Sequence, residues 1–255
     1  MINEVYEEPF MVRTWDVDEA DRLTIAAAYN YCQEVAGNHA RALGVGSEYM
    51  AANGLVWVLS RMSAVLDSRP AWGTRLAVRT WPRGTDRLFA MREYEIRDEA
   101  GAVVGRGRGA WLVVDSATFR PRRPEAIAEM LPSRPDLETL PGGALPVAAG
   151  EGLELAYQRA VAYSDIDYNG HMNNARYVQW IQDALDPAAL SGAAGLRLDI
   201  NYLAEMRQGK VAGVYRGTYP ARPEGGWTES ASFEGRTDEG QCSFRACLSL
   251  DRRQS

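Results

Sequence analysis

Thr228-Glu229-Ser230-Ala231-Ser232-Phe233-Glu234, the turn Thr237-Asp238-Glu239-Gly240 and the run Cys242-Ser243-Phe244-Arg245-Ala246-Cys247-Leu248-Ser249-Leu250 read as two strands folded back on each other. Alternating side chains suit a half-buried strand, and a polar turn ending in glycine reverses the chain. Working outward, strand-like segments at 196–205 and 211–219 precede this hairpin, and an amphipathic stretch at 171–185 precedes them. The first half of the chain follows the same plan. A helix is expected over 23–43, where Ile25, Tyr29, Cys32, Ala36, His39 and Leu43 recur at helical steps. Strands are expected at 55–66, 74–81, 88–98 and 103–114, the last two separated by Asp98-Glu99-Ala100-Gly101. Each half opens on a strand, at 10–15 and 157–163, and the Pro- and Gly-rich stretch 132–152 reads as a linker between them. A helix followed by an antiparallel meander, performed twice, predicts an α+β protein with two antiparallel sheets, each wrapped around a central helix. Pairing the sheets edge to edge would remove exposed edges. Gly105, Gly107 and Gly109 share one face of their strand, so a close neighbour is expected there, the first helix being the simplest candidate.

Composition narrows the function. The chain has 255 residues, 46% hydrophobic and 24% charged, which suits a large globular body. Its formal charge of −6 disfavours general binding to nucleic acid or an anionic membrane. No apolar run approaches the roughly 20 residues that span a bilayer, and the acidic N-terminus does not read as a targeting peptide, so a cytoplasmic location is expected. Cys32, Cys242 and Cys247 lack metal-ligand spacing and read as reduced thiols; no metal or cofactor is expected. Arg120, Arg122 and Arg123, with Arg83, Arg87 and Arg92 upstream, read either as solvated loop charges or as a docking patch for an acidic partner.

The chemistry concentrates in Tyr163-Ser164-Asp165-Ile166-Asp167-Tyr168-Asn169-Gly170-His171-Met172-Asn173-Asn174-Ala175-Arg176-Tyr177. Asp167, Asn169 and His171 alternate just before a helix whose first N–H groups face any neighbouring anion. His171 is one of only two histidines in the chain. Carboxylate, amide and imidazole together can polarise a carbonyl and move a proton. Asp and Asn also crowd helix starts as caps, which is the plain alternative for each alone. His39 lies on the apolar stripe of the first helix and reads as a packed core residue.

These residues carry a resemblance. Leu55-Val56-Trp57-Val58-Leu59-Ser60-Arg61-Met62, Pro70-Ala71-Trp72-Gly73, Tyr94-Glu95-Ile96-Arg97-Asp98 and Gly109-Ala110-Trp111-Leu112-Val113 resemble the first half of the acyl-acyl-carrier-protein (acyl-ACP) thioesterases. The second half resembles the same family through Asp-x-Asn-x-His-x-x-Asn-x-x-Tyr, and the likeness extends over roughly residues 9–250. The resemblance implies a tandem, or double, hotdog fold. Residues 1–131 would form an N-terminal hotdog that binds the acyl chain, 132–152 a linker, and 153–255 a catalytic C-terminal hotdog. It implies hydrolysis of fatty acyl-ACP, which ends chain elongation, with acyl carrier protein as partner. By position, Asp167, Asn169 and His171 correspond to catalytic residues, and Tyr202-Leu203-Ala204-Glu205-Met206 supplies a further catalytic glutamate, Glu205, on the strand after the second helix. Plant members often carry cysteine directly after that glutamate. Met206 stands here, so the surviving scheme is water attack, in a chain that looks like a bacterial form.

Under this resemblance Glu205 is assigned as base with His171 and Asn169 positioning it and the water; the alternative makes His171 the base and Glu205 its orienter. Alternation puts Glu205 on one face with Arg197, Asp199 and Asn201, a face that reads as solvated. Asn174 and Tyr177 are expected to support the site, Met62 and Trp111 to line the substrate pocket, and Arg120, Arg122 and Arg123 to dock the carrier. The first half carries no such motif at its helix start, where Asp18-Glu19-Ala20-Asp21-Arg22 stands. Rival readings are an acyl-CoA thioesterase and a non-catalytic acyl-thioester binding protein. A hotdog dehydratase is disfavoured, since its Asp-x-Asn-Pro-x-His pattern has one more residue between Asn and His. Both a monomer and a homodimer fit the sequence.

Overall fold

A computed structural model of the chain describes residues 4–124, 127, 129–219 and 226–252. Its strands are β1 (Tyr6–Met11), β2 (Leu55–Leu66), β3 (Arg75–Asp86), β4 (Phe89–Asp98), β5 (Val103–Asp115), β6 (Pro121–Arg122), β7 (Glu151–Ala160), β8 (Gly195–Tyr202), β9 (Val211–Thr218), β10 (Glu229–Thr237) and β11 (Cys242–Asp251). The described helices are α1 (Ile25–Ala42), α2 (Ser47–Ala52), α3 (Asn174–Asp183) and α4 (Pro187–Ser191), with a 3-10 turn at Tyr163–Asp165. Rather than two separate sheets, the strands form one 11-stranded sheet in the order β1-β3-β4-β5-β2-β8-β11-β10-β9-β7, with β6 paired to β5. The halves meet where β2 pairs antiparallel with β8, Arg61 opposite Asn201 and Leu66 opposite Leu196.

The faces of this seam differ in chemistry. Met62, Ala64 and Leu66 of β2 lie beside Ile200, Leu198 and Leu196 of β8 in a core that draws residues from both halves. Tyr29 of α1 reaches the same place and donates from its hydroxyl to the Leu198 carbonyl at 2.9 Å. The helices α1 and α3 run antiparallel over this core: the Ala26 N–H donates to Gln182 Oε1 at 3.0 Å, and Asn174 Nδ2 donates to Gln33 Oε1 at 3.2 Å. On the opposite face Ser63 bonds Asp199, which also receives Arg197 Nε at 3.0 Å. The segment between the halves is strapped across that face. The Ala144 N–H donates to Ser63 Oγ at 2.7 Å, and the Val147 N–H donates to Asn201 Oδ1 at 2.6 Å. Asp199 and Asn201 are therefore each only 6% exposed, which corrects the solvated face expected for them. Alternation correctly puts them opposite the core, but the strap then excludes water.

Element boundaries shift for identifiable reasons. β1 starts at Tyr6 because Tyr6, Glu8 and Phe10 alternate in exposure with Glu7, Pro9 and Met11; its acidic look conceals a strand. β7 runs Glu151–Ala160, earlier than expected, as a polar strand at one end of the sheet order, and β1 is at the other. β3 continues through Pro82, which lies past the last β1 pair, Thr80 opposite Tyr6, so no ladder N–H is missed there. The neighbours over the β5 glycines are not the helix: the Tyr94 ring from β4 lies over Gly107 and Gly109, and Leu66 and Ile96 lie over Gly105. A Cβ on Gly107 would meet the Tyr94 ring at 3.4 Å and the Ser63 carbonyl at 3.2 Å. The cysteines are free thiols, and burial pushes Cys32 up to about 12. Among the described residues no helix is long and apolar enough to cross a membrane.

The seam's polar face yields a test. Ser63→Ala strands the Ala144 N–H in a dry site and takes one donor from Asp199, which keeps Arg197, a loss of about 1–3 kcal/mol. We expect a lower denaturant midpoint at unchanged slope, with faster proteolysis between residues 132 and 150.

Candidate active site

The Asp-x-Asn-x-His motif forms a closed loop between the 3-10 turn and α3. Gly170 adopts φ +78°, which glycine reaches without strain. That lets the Asp167 N–H donate to the His171 carbonyl at 3.0 Å and the Gly170 N–H to the Asp167 carbonyl at 3.0 Å. Ile166 and Met172 bridge the loop's base. The Asp167 carboxylate accepts the Asn169 N–H at 2.9 Å and, more loosely, Asn173 Nδ2 at 3.5 Å. Its visible contacts thus stay within its own loop, while the Asn169 side chain is exposed. The helix starts at Asn174, not at His171 as the amphipathic pattern suggested. Asn173 caps it by accepting the Ala175 N–H at 2.8 Å, and the Arg176 N–H goes to the Asn173 carbonyl at 2.9 Å. Those two first-turn donors are spent internally.

Glu205 lies beyond the end of β8 rather than on it, in the turn that leads to β9. This turn is tied to the motif by its backbone. The Met172 N–H donates to the Met206 carbonyl at 2.8 Å, and the Met206 N–H donates to the Tyr177 hydroxyl at 3.1 Å. Burial pushes the Tyr177 hydroxyl well above the usual phenol range, so it stays protonated. Tyr202, stacked edge-on to Tyr177 at 5.5 Å, donates to the Asn174 carbonyl at 3.1 Å. The Tyr177 hydroxyl thus meets the segment that carries Glu205 directly, whereas Asn174 offers Tyr202 only its carbonyl and turns its side chain to Gln33.

This scaffold sets His171 Nε2 3.0 Å from Glu205 Oε2. The ring is 31% and the carboxylate 46% exposed, so a substrate can reach both. Arg207, which the motif does not mark, completes the group. It donates from Nε and Nη2 to Glu205 Oε1 at 3.1 and 2.8 Å, and its Nη2 lies 2.9 Å from His171 Nε2. The available signal was positional: residues two apart in extended chain project to the same side.

The remaining expected residues lie elsewhere. Met62 is buried in the core, and Trp111 is half-buried, its Nε1 2.9 Å from where a Cβ on Gly109 would sit. His39 is fully buried and stacked on Tyr6 with ring centroids 5.2 Å apart. Arg92 does not belong with the surface arginines: it is buried, 3.0 Å from His39 Nδ1 and 3.2 Å from Thr80 Oγ1. Arg83 faces Glu138 at 3.2 Å. Arg120, Arg122 and Arg123 are exposed around β6, with Arg122 paired to Asp115 at 2.7 Å. Register fixes which end of the sheet they occupy. β8 ends one residue past the Arg61–Asn201 pair, while β2 continues beyond it to meet the end of β5, where Val113 faces Arg122. The arginines and Glu205 therefore share one end of the sheet.

Residues 3–131 match the family model described as the acyl-ACP thioesterase N-terminal domain, and residues 151–246 match the acyl-ACP thioesterase C-terminal domain. The chain is 26% identical over 225 residues to a chloroplastic palmitoyl-acyl carrier protein thioesterase of Gossypium hirsutum, covering 81% of this chain and 53% of the relative. It is 26% identical over 229 residues to oleoyl-acyl carrier protein thioesterase 1 of Arabidopsis thaliana, covering 81% and 62%. The chain thus spans about half the length of the first of these. Among solved structures, an acyl-ACP thioesterase from Bacteroides thetaiotaomicron superposes with a TM-score of 0.84 at 23% identity, covering 98% of each chain. A 12:0-ACP thioesterase from Umbellularia californica superposes at 0.76 and 19% identity, covering 98% of this chain and 94% of that one. These likenesses give the chain a hotdog-type fold.

Tyr177→Phe removes the acceptor of the Met206 N–H without altering the packed ring. The expected loss is about 1 kcal/mol in global stability, with a larger rise in hydrogen exchange at the Met206 and Met172 amides than at the centre of β8.

Proposed function

The chain belongs to the acyl-ACP thioesterase family, and from that premise we propose that it hydrolyses the thioester joining a fatty acyl chain to acyl carrier protein. The products are free fatty acid and holo carrier, which ends chain elongation. The observation that carries the reading is the reachable His171–Glu205 pair, 3.0 Å apart, at the mouth of a loop that also presents Asn169. A thioester carbonyl is activated, so hydrolysis needs an oriented water, a proton acceptor and support for the developing oxyanion. In the proposed scheme, water attacks the carbonyl carbon while His171 and Glu205 share the work of taking and holding its proton. The exposed Asn169 amide is suited to donate to the oxyanion. Collapse of the tetrahedral intermediate breaks the C–S bond, and the departing sulfur takes up the proton. Asp167 keeps the loop in shape, and Tyr177 holds Glu205 in reach. Met206 follows Glu205, so no thiol nucleophile stands there.

The proposal extends to organisation. Residues 1–131 and 153–255 are read as two tandem hotdogs, the first taking the acyl chain and the second carrying the reaction, joined by 132–152. Met62 and Trp111 are lining candidates for the chain. Each further buried methylene is worth about 0.8 kcal/mol, so pocket depth would set length preference. The exposed Arg120, Arg122 and Arg123, at the same end of the sheet as Glu205, support an acidic carrier protein over CoA as the leaving group. The reading is of a cytoplasmic enzyme, active as monomer or homodimer.

Thiol release from carrier proteins loaded with C8 to C18 chains, beside the matching CoA esters, tests this. We expect carrier esters to turn over faster, and His171→Ala and Glu205→Ala each to lower kcat by about 100-fold or more. Faster CoA turnover would refute the carrier assignment, and failure on every ester would leave the acyl-binding reading in its place.

A further inference from the structure

His171 Nε2 has two close polar neighbours whose demands conflict. Glu205 Oε2, at 3.0 Å, accepts only; Arg207 Nη2, at 2.9 Å, donates only. A neutral imidazole nitrogen carries either a hydrogen or a lone pair, so it can satisfy one neighbour at a time. Glu205 does not need the histidine hydrogen, because Arg207 already supplies its other oxygen through two bonds at 3.1 and 2.8 Å. Arg207, in turn, has no lone pair with which to meet an Nε2–H.

On this geometry, and resting on the hydrolytic reading above, we propose that Arg207 is a positioning residue: it holds substrate-free His171 as the Nδ1–H tautomer, with Nε2 bare and ready to accept a proton. The role of base then falls to His171. When water enters, it displaces the guanidinium from Nε2, which Arg207 can allow because its side chain is 60% exposed. The O–H bond of the water breaks as its oxygen bonds to the carbonyl carbon, and the proton lands on Nε2. The new Nε2–H points at Glu205 Oε2, which is in place to stabilise the imidazolium. Arg207 thus donates to the bare Nε2 before the reaction, and Glu205 accepts from the new Nε2–H after it. The charged and titratable groups around this event are Glu205 and Arg207 from the β8–β9 turn, Asp167 from the motif loop and Tyr177 from α3.

The test combines ring nitrogen-15 NMR with pH–rate profiles on the full chain. The chain's other histidine, His39, is separated by assignment with His171→Gln. In the wild type, neutral His171 should read as Nδ1–H. Arg207→Ala should move it toward Nε2–H, now free to donate to Glu205. The same variant should move the acidic limb of kcat/KM upward, since a neighbouring positive charge is gone, and lower its plateau by about tenfold. Arg207→Lys keeps a donor and a positive charge and should restore both the tautomer and the limb. A wild-type Nε2–H tautomer would overturn the proposal. So would an Arg207→Ala variant that loses rate with tautomer and limb unmoved, since that is the signature of a merely structural arginine. If the tautomer responds as expected but no thioester is hydrolysed, the failure belongs to the catalytic reading and not to the role of Arg207.

Discussion

Backbone pairing between β2 and β8 is the contact on which the rest of the molecule depends, because each half would otherwise present an open sheet edge and half a core. The pairing sets residues of both halves side by side on two faces at once. One face is wholly apolar and receives α1 and α3; the other is polar and receives the strap from the connecting segment. Burying Asp199 and Asn201 there is tolerable because each finds a partner: Ser63 and Arg197 for the carboxylate, two backbone groups of the strap for the amide. β8 is also the strand that delivers the chain to Glu205. The seam that unites the halves therefore fixes the position of the carboxylate facing His171.

Much of this was legible in the chain, and the misses have physical causes. The helix-then-meander plan was visible twice because alternation and helical periodicity are local properties. Strand ends at Tyr6 and Glu151 were hidden because an edge strand may be polar on most of its length and still pair. The start of α3 was misplaced because amphipathic spacing ignores Gly170 and the Asn173 cap, which hold His171 outside the helix. The dryness of Asp199 and Asn201 depends on residues 144–147, some fifty positions away in sequence. Local pattern cannot report such a lid. Arg92 was misread for the same reason, since nothing beside it in sequence announces His39 or Thr80 as partners.

Within the site, the motif divides its labour. Asp167 and Asn173 spend their side chains on the loop and the helix start, so the conformation that presents His171 is built locally. Glu205 and Arg207 arrive from another part of the fold, on a turn held by Met206 between them, whose side chain is buried in the core and whose backbone bonds Met172 and Tyr177. Such a division leaves Glu205 and Arg207 free to be tuned by neighbouring charge without unsettling the frame.

The two ends of the sheet, β1 and β7, carry a different consequence. An unpaired strand edge is a template for further strands, and a sheet this long offers that invitation at both ends. Here one margin carries Glu7, Glu8 and Pro9, and the other Glu151, Glu154, Gln158 and Arg159. A strand added by a second copy would meet Pro9, which cannot donate, on one margin and these polar and charged side chains on the other. Proline and charge at the two margins thus disfavour repeating there the edge pairing that β2 and β8 make once within the chain.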